Sequence, residues 1–527
     1  MKRPTVVVAP HQAPRLQRWG FTESATLDAA LRYARRMLRF LLCVTPLMSA
    51  ASVDAADRPN VLVIAVDDLN DWVGCLGGHP QAHTPNIDRL AERGTLLANA
   101  HCQSPVCNPS RASLMTGLYP ETTGIYFLQP SPGQVPVAAR QTLLTERFER
   151  EGYELIVGGK LMHGRQNYDR FHRLGENYGG SFGGVGPFPE RHLSPFTGHK
   201  LWDWGVFPDR DEQMPDHKLA SWAEQKLAEP RAEPFFMAIG FARPHVPQYA
   251  PQEWFDRFPL DEIQLPETLA DDLDDVSDYG VDLTRQEHIA PTQAWVERHD
   301  QWKPMVQSYL ACVAFVDHQV GRVLDALESG GHADDTIVVL FSDHGFHLGE
   351  KRRHAKRSIW ENGDHVPLII DVPGLPDGQV TEQPAELIDI YPTLLDLSGL
   401  EPDPSLEGDS LRPLLESADA EWTPLARSSY GPGNVAIISE SHRYVRYNDG
   451  SEELYDRRAD PHEWTNLAAS DALRETHRAT LDRHRAALPT EFAAIQPGQS
   501  TGHNAYSATE ERRRRRESGE AVPREVR

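Results

Sequence analysis

Short runs of consecutive apolar residues recur along the chain, and polar residues follow several of them directly. The first run, Asn60–Val66, ends at the acidic pair Asp67 and Asp68. Continuous rather than alternating apolarity is typical of a strand buried on both faces, as in a parallel sheet. Helical patterns such as the apolar stripe within 309–327 separate the runs. The other runs are Glu154–Val157, Phe235–Gly240, Thr336–Phe341 and Pro367–Ile370. Strands alternating with helices predict an α/β sheet with helices on both faces.

The chain is long enough for a large domain and a smaller one, at 527 residues. From about residue 420 the apolar segments become shorter and alternate with polar residues, and a helical pattern follows over 472–488. This texture predicts a small antiparallel sheet with a helix. We therefore expect a large domain over 57–420 and a small α+β subdomain over 421–495. Residues 496–527 contain few apolar side chains, which predicts a disordered tail.

The net charge argues against one class of partner. It is −24 with neutral histidines, whereas binding to nucleic acid needs a basic face that contacts phosphates. We therefore expect no nucleic-acid partner. The net charge does not exclude a small anionic substrate, because a few cationic side chains close to a site determine whether it binds an anion. Five cysteines are too few for a disulfide scaffold in a chain of this length.

The amino terminus has the order of a secretory signal. Arg35, Arg36 and Arg39 precede a short apolar core, and small residues that include Ala55 and Ala56 follow it. The basic part is long, which suggests that the first 36 residues are an over-extended start. We therefore expect 1–56 to be a signal peptide with such a start, and the mature chain to be periplasmic or extracellular. No later stretch approaches the roughly 20 apolar residues of a membrane span.

Acidic residues at two strand ends point to a cation site. Asp67 and Asp68 follow the first run. A second run ends at Phe341, and Ser342, Asp343 and His344 follow it. Functional residues of α/β sheets gather at the carboxyl edge of the strands. Side by side, these ends would place three carboxylates and an imidazole around one ion. Ligands that are mostly oxygen favour Ca²⁺, or less readily Mg²⁺, over zinc.

The segment 104–117 carries the most specific pattern of the chain. Pro109 is suited to the first turn of a helix, so Cys107 is expected at the helix N-terminus. Free backbone N–H groups attract anions there. Residue types alone allow a low-pKa thiolate nucleophile or an ordinary buried cysteine.

Residues 107–111, Cys-Asn-Pro-Ser-Arg, resemble the type I sulfatase signature Cys-x-Pro-Ser-Arg, with Leu114, Thr116 and Gly117 downstream. The resemblance extends to both ends of the mature chain and looks closest to iduronate-2-sulfatases and their bacterial relatives. It implies the alkaline-phosphatase-like fold, a large mixed, mostly parallel sheet flanked by helices. Other matching segments are 67–69, 84–88, 120–123, 159–164, 243–247, 343–345, 355–358 and the carboxy-terminal box around 453–467.

The resemblance also implies an activity, sulfate ester hydrolysis, and a maturation step. In the family the cysteine is oxidised by a formylglycine-generating enzyme to formylglycine, an aldehyde that hydrates to a diol. One hydroxyl of the diol attacks sulfur, and the second later expels sulfate by forming the aldehyde again. The implied metal ligands are Asp67, Asp68, Asp343, His344 and the modified Cys107; the implied catalytic residues are that same Cys107, His163, His245 and Arg111; Lys160 and Lys356 are the implied substrate-binding residues.

Other interpretations remain open. Taken singly, His163 and His245 are compatible with ordinary loop histidines, and Lys160 and Lys356 with solvated charges. A phosphate or phosphonate ester hydrolase of the same superfamily is one alternative function. A catalytically silent secreted protein that binds glycans is another.

The export signal, the acidic surface and the resemblance together imply a substrate, a sulfated oligosaccharide that ends in a 2-O-sulfated uronic acid. The segment 251–305 is long and acidic, with Asp271, Asp272, Asp274 and Asp275 close together. We expect these carboxylates to form a rim of the pocket that repels long polyanions, which predicts exo-action.

Overall fold

The computed structural model describes residues 58–164, 169–285, 289–498 and 500–520. The predicted signal peptide and over-extended start, residues 1–56, lie outside the described residues. The described chain from Arg58 onward falls within one compact unit, 54–527. In this part of the chain, no helix combines the length and the apolarity that crossing a bilayer requires.

A large sheet is the centre of the fold. The strands of the described residues are β1 (Asn60–Asp67), β2 (Thr95–Leu97), β3 (Ala100–His101), β4 (Glu154–Gly159), β5 (Tyr178–Gly180), β6 (Trp204–Val206), β7 (Phe235–Pro244), β8 (Gln248–Ala250), β9 (Thr336–Ser342), β10 (His347–Leu348), β11 (His354–Ala355), β12 (Leu368–Asp371), β13 (Gln379–Thr381), β14 (Ala385–Glu386), β15 (Ala426–Ser429), β16 (Val435–Ile438), β17 (His442–Arg446) and β18 (Glu452–Asp456). The strand order of the large sheet is β13-β2-β12-β9-β1-β7-β4-β5, and a separate four-stranded sheet has the order β15-β16-β17-β18.

The predicted fold class is confirmed. β1 pairs in parallel with β7 and β9, and β4 pairs in parallel with β7 and β5. β12 runs antiparallel to both of its neighbours, β9 and β2, which makes the sheet mixed. The apolar run at β12 resembles the parallel strands because it too is buried on both faces.

Helices cover both faces of the sheet. Alternate residues of β1 belong to different apolar clusters. Leu62 and Ile64 pack on the side of the helix Trp302–Ser329, whereas Val61 and Val63 pack on the side of the helices Cys107–Thr116 and Ile390–Leu397. The α-helices of the described residues are α1 (Pro85–Arg93), α2 (Cys107–Thr116), α3 (Pro120–Thr123), α4 (Pro136–Arg140), α5 (Leu144–Arg150), α6 (Pro215–Leu227), α7 (Gln252–Phe255), α8 (Asp278–Leu283), α9 (Gln293–Arg298), α10 (Trp302–Ser329), α11 (Glu361–Asp364), α12 (Ile390–Leu397), α13 (Arg412–Glu416), α14 (Asp471–Thr476), α15 (Arg478–Arg485) and α16 (Thr501–Glu517).

The small C-terminal sheet is antiparallel throughout, as predicted. The tail differs from the expectation of disorder over 496–527, because Thr501–Glu517 forms α16. Polar contacts hold this helix, together with one apolar contact, in which Tyr506 is buried against Phe127. The hydroxyl of Tyr279 donates to Glu510 at 2.5 Å, and Arg516 pairs with Asp282 at 2.5 Å. Low apolar content therefore misled the prediction.

The acidic segment 271–275 does not form the pocket rim that we expected. Asp272 is buried and pairs with the ammonium of Lys351 at 2.7 Å. Asp275 accepts from the backbone N–H of Asn466 at 2.7 Å. Two of these carboxylates therefore join the segment to other parts of the fold. None of the four lines the cavity that contains Cys107, to which the wider segment 251–305 contributes Ile289.

Candidate active site

Four neighbouring strands deliver the polar side chains of the site at one edge of the sheet. In the order β4, β7, β1 and β9, the residues at the strand ends are Lys160, His245, Asp67 and Asp343. The register keeps them level, since Val66 pairs with Ser342 and Asp67 with Pro244. The strand-end argument identified Asp67, Asp68, Asp343 and His344. Applied to the runs 154–157 and 235–240, it would also have pointed to Lys160 and His245.

Cys107 is the first residue of α2 and is 1% exposed. Two anchors fix the start of this helix. The side-chain amide of Asn108 donates to the carbonyl oxygens of Phe127 and Pro130, and the hydroxyl of Ser110 donates to the carbonyl oxygen of Asp343 at 2.5 Å. The helix N-terminus is therefore held against the strand end that carries the metal-type ligands.

Cationic and acidic groups surround the Cys107 sulfur. Nε2 of His344 lies 3.1 Å from Sγ, Nζ of Lys356 3.4 Å and Nζ of Lys160 3.9 Å. Oδ1 of Asp67 lies 3.7 Å away, and the His163 side chain also hydrogen-bonds to Cys107. The structure thus brings together residues that are far apart in sequence.

These charges shift the protonation of the cluster. Burial disfavours a thiolate, but the charges of Lys160, Lys356 and His344 outweigh it and hold the pKa of the Cys107 thiol well below its ordinary value. Burial likewise disfavours an imidazolium, yet the charge of Asp343 raises the pKa of His344 to about 9. Position 107 is therefore built to hold negative charge.

Arg111 ties the two acidic strand ends together. Its Nε donates to Oδ2 of Asp343 at 2.7 Å and its Nη2 to Oδ1 of Asp67 at 3.2 Å. Its Nη1 donates to the carbonyl oxygen of Lys160. A planar guanidinium can hold several acceptors in fixed directions at once, so Arg111 orients the carboxylates.

The donor set fits a divalent cation. Two overlapping groups have ligand atoms within 4.8 Å of one another: Asp67, Cys107, Asp343 and His344, and Asp67, Asp68, Cys107 and His245. Within the described chain, Oδ2 of Asp68 is buried and accepts no hydrogen bond. The Nδ1–H of His344 donates to the carbonyl oxygen of Gly345 at 3.1 Å, which leaves Nε2 as a ligand atom.

Lys356 sits in a strained turn. The residues on either side, Ala355 and Arg357, have φ angles of 80° and 77°, and Asp68 opposite has 65°. Non-glycine residues adopt this region uncommonly and at an energetic cost, and such strain gathers at functional sites. The turn brings the Lys356 ammonium within 2.5 Å of Oδ1 of Asp68.

The cluster opens into a cavity of about 610 Å³. Sequence reasoning missed several residues that line it: no motif marks His199, Asp216 or Ser500, and Arg357 lies in the matching segment 355–358 but was given no role. Asp216 is buried and accepts from the backbone N–H groups of Ala242 and Arg243 at 2.7 and 3.0 Å. It thereby supports the chain that leads to His245.

Known proteins are similar to this chain in sequence and in fold. The sulfatase family model matches residues 59–400, and the model of the N-sulphoglucosamine sulphohydrolase C-terminal region matches 349–486. The chain is 41% identical to a sulfatase of Formosa agariphila over 427 residues, which are 78% of this chain and 83% of that protein. It is 31% identical to human iduronate 2-sulfatase over 466 residues, 77% of this chain and 82% of the relative.

The solved structure of the phosphonate monoester hydrolase of Agrobacterium radiobacter superimposes on this chain with a TM-score of 0.65 at 24% sequence identity. The superposition covers 84% of this chain and 100% of the hydrolase chain. This likeness shows that the two chains share a fold. The sequence comparisons show the family: the chain belongs to the sulfatase family, and it is a sulfuric ester hydrolase.

Proposed function

We propose that this sulfatase removes sulfate from a sulfated carbohydrate, with formylglycine at position 107 and Ca²⁺ held by Asp67, Asp68, Asp343 and His344. One observation carries the proposal: the buried Cys107 sulfur is 3.1 to 3.9 Å from the side-chain nitrogens of His344, Lys356 and Lys160. The Sγ of the encoded cysteine marks the position of the reactive oxygen. The modified residue would also be a ligand of the ion.

Two groups that the fold family implies would supply chemistry here. The cation would polarise a sulfate oxygen and favour an ionised nucleophile. Formylglycine, as a diol, would offer one hydroxyl for attack and a second whose deprotonation releases sulfate, which neither serine nor cysteine can do.

The chain's own residues manage charge and protons. Lys160 and Lys356 flank position 107 and can neutralise the sulfate oxygens as negative charge builds on them. Arg111 keeps Asp67 and Asp343 in the ligating orientation. The leaving alcohol needs a proton, which a histidine can donate near neutral pH.

His245 and His163 are the candidate proton donors. Nδ1–H of His245 donates to the carbonyl oxygen of Val246 at 2.5 Å, so Nε2 is the nitrogen left to exchange a proton. Both histidines line the cavity that contains Cys107. We assign the general acid role to His245, because His163 hydrogen-bonds to residue 107 itself.

The carbohydrate substrate is argued from relatives and context. A human relative is named for a 2-O-sulfated uronic acid. The amino-terminal signal predicted over 1–56 would place the enzyme in the periplasm or outside the cell, where sulfated polysaccharide fragments occur. A formylglycine-generating enzyme would be its partner during maturation.

The test combines chemistry at position 107 with a rate comparison. Mass spectrometry of the tryptic peptide that contains residue 107 should show loss of sulfur, and elemental analysis should show stoichiometric calcium. Stoichiometric zinc would contradict the metal assignment. The enzyme should release sulfate from 4-nitrophenyl sulfate faster than it cleaves the matching phosphate and phosphonate esters. The reverse order would favour the phosphonate-hydrolase alternative, and a folded protein without any turnover would favour the silent binder.

A further inference from the structure

The cavity extends beyond the groups that the proposed mechanism uses. Past Cys107, Lys160 and Lys356, its lining continues to Arg357 and Ser500. In the proposed mechanism, Lys160 and Lys356 bind the sulfate ester. The third cationic side chain of the cavity, Arg357, has no role in that mechanism.

Arg357 is built into the site rather than displayed on the surface. It is 4% exposed, and its backbone N–H donates to the carbonyl oxygen of Pro105, two residues before Cys107, at 3.1 Å. Its φ of 77° belongs to the strained turn that also places Lys356. The side chains of two adjacent residues in one turn, Lys356 and Arg357, thus line the same cavity, and that of Lys356 reaches Cys107.

The carboxy-terminal segment closes the cavity next to Arg357. Ser500 is the N-cap of α16, and a methyl group added at Gly502 would lie 3.7 Å from the guanidinium carbon of Arg357. The ring of His503 stacks on Phe127 with centroids 5.5 Å apart. This wall lies outside both family models, which end at residues 400 and 486.

Several contacts hold the wall in place. The backbone N–H of Ala493 donates to the carbonyl oxygen of Glu121 at 2.7 Å. The hydroxyl of Thr509 donates to the backbone carbonyl oxygen of Asp282 at 3.2 Å. Tyr506 is buried against Phe127. The surroundings of Arg357 are therefore fixed before a substrate arrives, which lowers the entropic cost of binding.

We propose that Arg357 binds a second anionic group of the substrate, a carboxylate or a second sulfate, carried on the same sugar as the sulfate ester. The inference rests on the proposed function. A guanidinium presents a planar fork that matches either group with two parallel hydrogen bonds. This contact favours substrates with two anionic groups over those with one.

The experiment measures sulfate release from three monosaccharides: a 2-O-sulfated hexose, its uronic acid counterpart, and its 2,6-di-O-sulfated counterpart. The readout is the ratio of kcat/KM for each doubly anionic sugar to that for the singly anionic one. We expect a ratio above one for the wild type, and a fall of roughly tenfold or more for one doubly anionic sugar in Arg357→Gln. The sugar that responds identifies the second group as carboxylate or sulfate.

Two further variants make the result decisive. Arg352→Gln removes a cation from the same loop. The guanidinium of Arg352 lies 3.8 Å from Glu297, and Arg352 does not line the cavity, so this variant should keep the wild-type ratios. Arg357→Lys keeps the charge without the fork and covers the case in which Arg357→Gln does not fold. Ratios near one in the wild type, or unchanged ratios in both Arg357 variants, would overturn the inference. Absence of sulfate release from all three sugars and from 4-nitrophenyl sulfate would instead overturn the proposed function.

Discussion

The guanidinium Nε of Arg111 donates to Oδ2 of Asp343 at 2.7 Å, from helix α2 to the end of strand β9. The same side chain reaches Asp67 at 3.2 Å. One residue of the cysteine motif therefore sets the spacing of two carboxylates that come from neighbouring strands. The motif and the metal-type ligands form a single unit.

Arg111→Lys should weaken cation binding, because an ammonium cannot hold both carboxylates in fixed directions. Loss of such orienting partners typically costs roughly 10–100-fold in metal affinity or activity. Titration with Ca²⁺ against a chelator measures the affinity. Arg412→Lys, at an exposed ion pair with Asp396, is the matched control. An unchanged affinity in Arg111→Lys would contradict the orienting role.

Cys107→Ala should abolish sulfate release, because the proposed nucleophile is lost while the carboxylates that bind the cation remain. Thermal unfolding and calcium content should stay close to those of the wild type. Cys75→Ala removes a half-buried thiol outside the cavity lining and should leave turnover unchanged. A rate within tenfold of wild type in Cys107→Ala would end the covalent mechanism.

Gly240→Ala should disturb Lys160. The carbonyl oxygen of Gly240 accepts from the backbone N–H of Lys160 at 2.6 Å, and a Cβ on residue 240 would overlap the Lys160 carbonyl group. Overpacking of this kind costs about 1–3 kcal/mol, so the free energy of unfolding and the rate should both fall. Gly133→Ala, where an added Cβ meets nothing within 4 Å, is the control. Equal stability of the two variants would refute the close approach.

His354 should make stability depend on pH. Burial lowers the pKa of His354 from 6.5 to about 3 in the folded protein. Between these values the unfolded chain binds a proton that the folded chain does not, so this residue's contribution to stability is lost as the pH falls from 6.5.

The measurement is the difference in unfolding free energy between the wild type and His354→Gln. It should shrink as the pH falls from 6.5 to 4, by up to about 1.4 kcal/mol per pH unit. Taking the difference cancels the other titrating groups. His462→Gln alters an exposed histidine and should show no such trend. A constant difference for His354→Gln would show that the folded protein accepts the proton.

Much of the fold and the site could be predicted because buried parallel strands leave a local signature. Continuous apolar runs marked β1, β7 and β9, and the polar residues after them marked the active edge. The direction of β12 could not be predicted, since burial on both faces looks the same in parallel and antiparallel strands.

Contacts between distant segments caused the remaining errors. Helix α16 has few apolar residues, and its partners Tyr279 and Asp282 lie more than 200 residues earlier in the chain. The sequence predicted Asp272 in a pocket rim, but its carboxylate is buried and pairs with the ammonium of Lys351. Composition describes a segment alone, whereas burial and pairing depend on what the rest of the chain brings to it.

The near-complete burial of Cys107, 1% exposed at the start of a packed helix, sets an order of events in biosynthesis. A second protein cannot grasp a side chain enclosed in this way. The oxidation that we propose for Cys107 must therefore occur on the newly made chain, before the sheet and helix α2 close around it. Under this proposal, folding and maturation would compete in time, and a chain that folds first would be trapped as an inactive thiol form. The yield of active enzyme would depend on the host's supply of the modifying activity during synthesis, rather than on any later treatment of the folded protein.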